Sequence, residues 1–254
     1  MAPENTLAAF SRAISDGADG IEFDVRLSRD QVPVVIHDAS LKRTGLVDRY
    51  VAELTAAELQ QIDVGRWFAE RRQTPAESFI GEKLPTLAQV FELFNVISGV
   101  LYLEMKCNAG DVAALAAEVV RLTCESRLAD RVVVESFDLS AIAEVKRIDA
   151  GIRIAALFEP KLSRPISTVR RLKMVDTALG VGADEIALHH TLASPRVVEK
   201  AKHEGLEVVV WTVDNREWIR RAGALGIKAL IANDPRMMVR ERDLPQRHED
   251  TEIT

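Results

Sequence analysis

Aromatic residues make up only 5% of this 254-residue chain, and there are just two cysteines. Cys107 and Cys124 have neither a C-x-x-C spacing nor a histidine partner at metal-ligand distance, so a zinc site is not expected and both read as reduced thiols. Basic charge is not in excess either: 33 Lys and Arg stand against 39 Asp and Glu, a net charge of −6. Without a basic, aromatic-interleaved surface, no nucleic-acid partner is expected. No apolar run is long enough for a membrane span, so we expect no stable membrane insertion and read a soluble, cytoplasmic chain. What remains is a globular composition, 47% hydrophobic, long enough for one large α/β domain or two small ones.

The most informative segment is Ile21-Glu22-Phe23-Asp24-Val25. In a strand, alternate side chains share a face, so Glu22 and Asp24 point one way and Ile21, Phe23 and Val25 the other. Two acids side by side on a buried strand repel each other and resist desolvation unless a cation lies between them. The pair therefore predicts a metal. Two further apolar runs end in ionisable residues: Val32 to Ile36 leads into His37-Asp38, and Val100 to Leu103 into Glu104-Met105-Lys106. Polar groups gathered at strand C-termini mark the catalytic edge of a parallel α/β barrel.

The rest of the chain keeps a strand–helix rhythm. A first helix is expected from Pro3 to Ser15, then a strand over 19–25, a turn from Ser28 to Gln31 and a short strand over 32–36. A polar excursion of roughly fifty residues, the one long connection, leads to a helix opening at Thr86. Strands follow at 100–105, 131–135, 152–158, 184–188, 206–212 and 228–232, with helices at 111–122, 139–148, 166–179, 195–204 and 216–225 between them. Ser194 is the expected N-cap of the helix that begins with Pro195. The alternation implies right-handed βαβ units in a parallel sheet. Seven principal strands can be counted, whereas a closed barrel needs eight, so we expect a first strand missing ahead of Met1. Residues Glu241 to Thr254 are charged and patternless and read as a frayed tail.

In sequence order, Ala2-Pro3-Glu4-Asn5-Thr6-Leu7, Gly17-Ala18-Asp19-Gly20-Ile21-Glu22-Phe23-Asp24-Val25, Val32 to Asp38 with Leu41, Arg43 and Thr44, Leu84-Pro85-Thr86-Leu87, Leu103 to Lys106, Ser136-Phe137, Val210-Trp211-Thr212-Val213 and Asn233-Asp234-Pro235 together resemble the glycerophosphodiester phosphodiesterase family. The resemblance spans nearly the whole chain and implies an α/β TIM-type (β/α)₈ barrel, here one phosphodiesterase barrel domain over 1–240 with a disordered tail over 241–254. The family's signature opens with a His-Arg-Gly at the end of the first strand, which this sequence does not contain ahead of Pro3-Glu4-Asn5-Thr6. That agrees with the strand count, and we expect a chain truncated at its N-terminus and lacking the first catalytic His. Smaller departures are Gln31 where the family often has Gly, Gly45 where a second Thr is usual, and Asp214 where Asn normally follows Trp-Thr-Val.

Carried over residue by residue, the resemblance implies Glu22, Asp24 and Glu104 as ligands of one divalent cation, Mg²⁺ or Ca²⁺, since all-oxygen ligation suits a hard ion. His37 is implied as the catalytic acid or base at the ester oxygen, Lys106 as a phosphate-binding cation and Trp211 as a wall of the substrate pocket. Asp38 reads as a turn residue, and Glu135 as a candidate for support behind the carboxylates. His189 and His190 follow a strand and are weaker candidates for substrate contact; His203 and His248 read as surface residues.

The expected function is metal-dependent hydrolysis of a small-molecule glycerophosphodiester to sn-glycerol 3-phosphate and an alcohol. Two alternatives stay open. One is a phospholipase D-type enzyme acting on lysophospholipids or sphingolipids, with an apolar rim supplied by Trp67, Phe68 and Phe79 in the excursion. The other is a non-catalytic barrel that binds phosphodiesters, given the absent His-Arg-Gly.

Overall fold

Strands whose alternate residues are apolar, separated by helices with a single apolar stripe, build a sheet clothed by helices on one side. The computed structural model of the chain describes residues 1–72, 79–160 and 168–243. In chain order these form α1 (Leu7–Ser15), β1 (Gly20–Leu27), β2 (Pro33–Val35), α2 (Ala56–Leu59), α3 (Arg66–Arg72), α4 (Leu87–Val96), β3 (Val100–Met105), α5 (Val112–Ser126) and β4 (Val132–Ser136). The second half continues as α6 (Leu139–Ile148), β5 (Arg153–Phe158), α7 (Thr168–Gly180), β6 (Glu185–His189), α8 (Pro195–His203), β7 (Glu207–Trp211), α9 (Glu217–Leu225), β8 (Ala229–Leu230) and α10 (Pro235–Arg242).

The sheet runs in the order β2-β1-β3-β4-β5-β6-β7-β8. From β1 through β8 every neighbouring pair is parallel, the arrangement of a TIM-type barrel, and the expected seven principal strands are all present. The eighth member is the short β2, which lies antiparallel on β1 with Val25 opposite Val35 and Leu27 opposite Pro33. β2 and β8 are the edges of this sheet.

Period two sorts the strand residues between two environments. Phe23, Leu103, Val134, Ile154, Ile186 and Val208 join the large outer core beneath the helices. Tyr102, Val133, Ala155, Leu157, Ala187 and Val209 form a separate inner cluster. The inner face is thus apolar only in its middle layer. Toward the strand N-termini Glu185 is fully buried, and its carboxylate accepts from Tyr102 Oη at 2.9 Å and pairs with Lys228 at 2.8 Å. Lys228 also pairs with Glu207, so this end of the interior is a closed polar network.

Several boundaries differ from those expected. Helix α1 begins at Leu7 rather than Pro3, because Asn5 takes a left-handed backbone (φ 56°) and Thr6 is the extended N-cap, its hydroxyl accepting from Ala9 N–H. Thr86 caps α4 through a reciprocal capping box with Gln89. Ser194 does occupy the N-cap position of α8, yet its hydroxyl makes no capping bond. The final strand is only Ala229–Leu230. Helix α10 was not anticipated, although Asp234 before Pro235 is a strong start signal: the Asp234 carboxylate accepts from Met237 N–H. Glu241 and Arg242 therefore close a helix rather than open a frayed tail, and residues 244–254 lie outside the described residues, as do 166 and 167 at the expected start of α7.

Arg131 joins layers that are distant in sequence. Its guanidinium donates to the carbonyls of Phe94, Ile97 and Gly99 at 2.8–2.9 Å, so the C-terminus of α4 and the turn after it are finished by a side chain from the residue just ahead of β4. Replacing Arg131 with Ala leaves three carbonyls without this donor and should lower the unfolding free energy by about 2 kcal/mol, with Arg131→Lys losing roughly half as much. Urea denaturation checks this; a midpoint for Arg131→Ala equal to the parent's would show that the helix end needs no such partner.

Candidate active site

Glu22 and Asp24 share the inner face of β1 because they are two residues apart, and Glu104 meets them because Asp24 and Glu104 are opposite in the β1–β3 register. One carboxylate oxygen from each lies within 4.8 Å of the others. Asp24 and Glu104 are each only 7% exposed. This is the convergence expected from the sequence, and the donor set of three close carboxylates fits a hard divalent cation.

Lys106, two residues beyond Glu104 on the same face, extends its ammonium to Glu104 at 2.6 Å and Asp24 at 3.3 Å. It also lies 5.5 Å from the Phe137 ring centroid, within cation–π range. His37 lies where β2 has ended and lines the same cavity as the carboxylates and Lys106. The cavity has a volume of about 420 Å³ and continues past Leu157 to Trp211 and Ile231.

The electrostatics follow from crowding. Burial, then Asp24, Glu135 and Glu104 in turn, raises the Glu22 carboxyl well above its usual range, with Lys106 opposing. Burial likewise pushes Glu104 up to about 7, less than it would without Lys106 beside it. Burial acts to lower the Lys106 pKa, but Asp24 and Glu104 outweigh it and the ammonium is held more firmly.

The sequence reading missed the groups that hold these residues in place. Asn5 reaches across from the segment before α1: its amide nitrogen donates to Asp24 Oδ2 at 2.8 Å, and its oxygen accepts from the Asp24 backbone N–H at 3.1 Å. The edge of β1 beside the carboxylates is thereby satisfied by a side chain, with Ile36 N–H donating to the Asp24 carbonyl next to it. Arg26 donates to the backbone carbonyls of both His37 and Lys106, tying two site segments together. Asp38 is more than a turn residue. Its Oδ1 bonds His37 Nδ1 at 2.7 Å while its Oδ2 accepts from Arg43, which also forks onto Glu4. The Arg43 bond is the chief reason that the Asp38 carboxyl falls to about 2. Since an ionised carboxylate only accepts, His37 Nδ1 carries a proton and Nε2 is the nitrogen free for chemistry.

Trp211 lines the cavity and meets Phe137 and His189 edge-on, at ring separations of 5.4 and 5.3 Å. His189 and His190 do not line the cavity; His189 bonds Thr191 and His190 bonds the Thr212 carbonyl. His203 is exposed, and His248 lies outside the described residues. In the excursion Phe68 meets both Trp67 and Phe79 edge-on, and none of the three lines the cavity.

Comparison with known proteins accords with this geometry. Residues 1–237 match the model of the glycerophosphoryl diester phosphodiesterase family. A glycerophosphodiester phosphodiesterase of Caldanaerobacter subterraneus subsp. tengcongensis is 31% identical over 239 residues, covering 93% of this chain and 91% of that relative. The crystal structure of a glycerophosphodiester phosphodiesterase from Agrobacterium tumefaciens superposes with a TM-score of 0.76 at 26% identity, over 94% of each chain. A phosphodiesterase from Oleispira antarctica, solved with its product sn-glycerol-3-phosphate, shares the fold with a TM-score of 0.83 at 24% identity, over 96% of this chain and 92% of that one. With its family match running almost end to end and its acidic strand ends meeting in one cavity, the chain belongs to the glycerophosphoryl diester phosphodiesterase family.

Proposed function

We propose that this protein hydrolyses glycerophosphodiesters to sn-glycerol 3-phosphate and an alcohol, with one divalent cation, Mg²⁺ or Ca²⁺, held by Glu22, Asp24 and Glu104. The observation that carries the reading is the meeting of these carboxylates with Lys106 and His37 in one cavity at the strand C-termini. A volume of about 420 Å³ is in the range of small-molecule sites. When bound, the cation would draw charge from the phosphoryl oxygens and acidify a hydroxyl or water beside them.

The chain's own residues supply the rest. Lys106 offers a point charge to a non-bridging oxygen, and its place between Glu104 and Asp24 keeps the ammonium protonated for that purpose. Water adds its hydroxide to phosphorus, the P–O bond to the alcohol breaks, and a proton must reach the departing alkoxide. His37 Nε2, left free because Asp38 holds Nδ1–H, takes up the proton that the attacking water sheds and passes it to the departing alkoxide. Phe137 and Trp211 give the organic part of the substrate an apolar wall. A coupled assay for released sn-glycerol 3-phosphate, with glycerophosphodiesters as substrates and with or without cation, tests the whole reading. A protein that binds cation and substrate without turnover would instead be a phosphodiester-binding barrel.

On this reading His37→Ala lowers kcat by about 10²-fold or more and leaves cation affinity nearly intact. Asp38→Asn acts through His37 and should lose less, mainly in kcat. Loss of cation binding in His37→Ala, measured by calorimetry, would make His37 a ligand instead.

The cation reading also fixes a pH dependence. Glu104 titrates near 7 in the folded chain against an ordinary 4.5, so its contribution to stability is complete below about 4.5 and is lost as pH rises through 7. Cation binding compensates the ionised carboxylates and should remove that decline. Thermal midpoints across pH 4.5–8, with chelator and with Mg²⁺, should therefore diverge as pH rises, and Glu22→Gln should abolish the divergence. Superimposable curves for the parent protein would remove the metal from this site.

A further inference from the structure

One carboxylate inside the sheet takes no part in the chemistry above. Glu135 lies one strand beyond Glu104 in the same register row: Asp24 is opposite Glu104, and Glu104 is opposite Glu135. Its strand parity turns it inward, since Val133 belongs to the inner cluster whereas Val132 and Val134 pack beneath the helices. It lines the cavity, yet is only 1% exposed.

Its surroundings are unfavourable to an acid. Oε2 is enclosed and makes no hydrogen bond with the protein. Glu104, Glu185 and Asp24 all press negative charge on it, and Lys106 is the cation that opposes them. Glu185, equally buried, shows what this fold does with an interior carboxylate kept for stability: Tyr102 and Lys228 bond it directly and Arg153 stands 3.8 Å away. Glu135 has no such set. A buried acceptor left unmatched costs about 1–3 kcal/mol, more for a charged one, so a group from outside the chain is the natural partner.

Direct ligation is not the fit. The carboxylates with mutually close oxygens are Glu22, Asp24 and Glu104, and Glu135 is not one of them. Small divalent cations, however, keep part of their water shell, and groups around the ligands that hold those waters or ligands strengthen binding. We propose that Glu135 is a positioning residue for the hydrated cation, with Oε2 accepting a hydrogen bond from a water that the cation would carry. The inference rests on the cation reading of the Glu22–Asp24–Glu104 site.

Charge and acceptor can be separated by two substitutions. Glu135→Gln removes the charge and keeps an acceptor oxygen; Glu135→Met fills similar space and removes both. Mg²⁺ alone is titrated into chelator-treated protein by calorimetry, and thermal midpoints are recorded without cation. Both variants should be as stable as the parent or more so, because a buried acid crowded by other carboxylates has gone. Glu135→Gln should weaken Mg²⁺ binding a few-fold and Glu135→Met about 10-fold or more, with one ion per chain throughout. Parental affinity in Glu135→Met, or equal weakening in both variants, overturns the proposal, the second outcome reducing Glu135 to a diffuse charge. If either variant fails to fold, Glu135→Asp, which keeps the carboxylate on a shorter stem, decides by binding Mg²⁺ more tightly than the neutral variant that does fold. If the parent protein itself takes up no Mg²⁺ or Ca²⁺, it is the cation reading that falls, and this inference with it.

Discussion

Mutual repulsion among carboxylates aimed into one interior is the constraint on which the rest of the structure turns. Glu22, Asp24, Glu104 and Glu135 are directed there by strand parity and register, and Lys106 is the ammonium set among them. Such crowding persists only if the scaffold over-determines it. The outer face provides that: aliphatic residues alternating with the acids are locked beneath the helices, so no strand can turn its acids outward without exposing its core half. A one-residue slip of β1 would bring Phe23 inward, away from Phe10, and leave the acids against α1.

The same parity explains how much could be read from the sequence. Glu22 with Asp24, and Glu104 with Lys106, were legible because period two and an apolar run ending in charge are local patterns that fix a face and an end of a strand. Asn5, Arg26 and Arg43 were not, because each acts through a partner that only tertiary proximity supplies. Asn5 holds a residue 19 positions away, and Arg26 reaches the Lys106 carbonyl 80 positions on. Asp38 was legible as a residue next to His37, but its role depends on the fork of Arg43 onto Glu4 and Asp38. Helix α10 had a local signal in Asp234-Pro235 that was read only as part of a motif.

The positions that depart from the family's usual residues have distinct surroundings. Gln31 sits at φ 62°, a left-handed conformation that glycine adopts freely, in a turn that Ser28 closes through its carbonyl and hydroxyl. At Gly45 a Cβ would come within 2.9 Å of Ile62 Cγ2 and 3.0 Å of the Leu41 carbonyl, so a side chain here would require those neighbours to shift. Asp214 accepts from both the backbone and the side-chain nitrogen of Asn233, binding the loop after β7 to the residue ahead of the cap of α10.

The interior is accordingly divided along its axis. At the strand N-termini Glu185 is matched by a phenol and cations, and such a network, once complete, would lose several kcal/mol if one partner were removed. At the C-termini the acids are bonded incompletely and Glu135 Oε2 not at all. The two ends carry the same residue type at nearly the same burial, so burial alone does not distinguish structure from function here. What does is whether the chain itself provides the partners. Where it does, the carboxylate serves the fold; where it does not, the fold holds an acid ready for something that the chain lacks, and the stability lost at the mouth is offset by the outer core and the closed network below it.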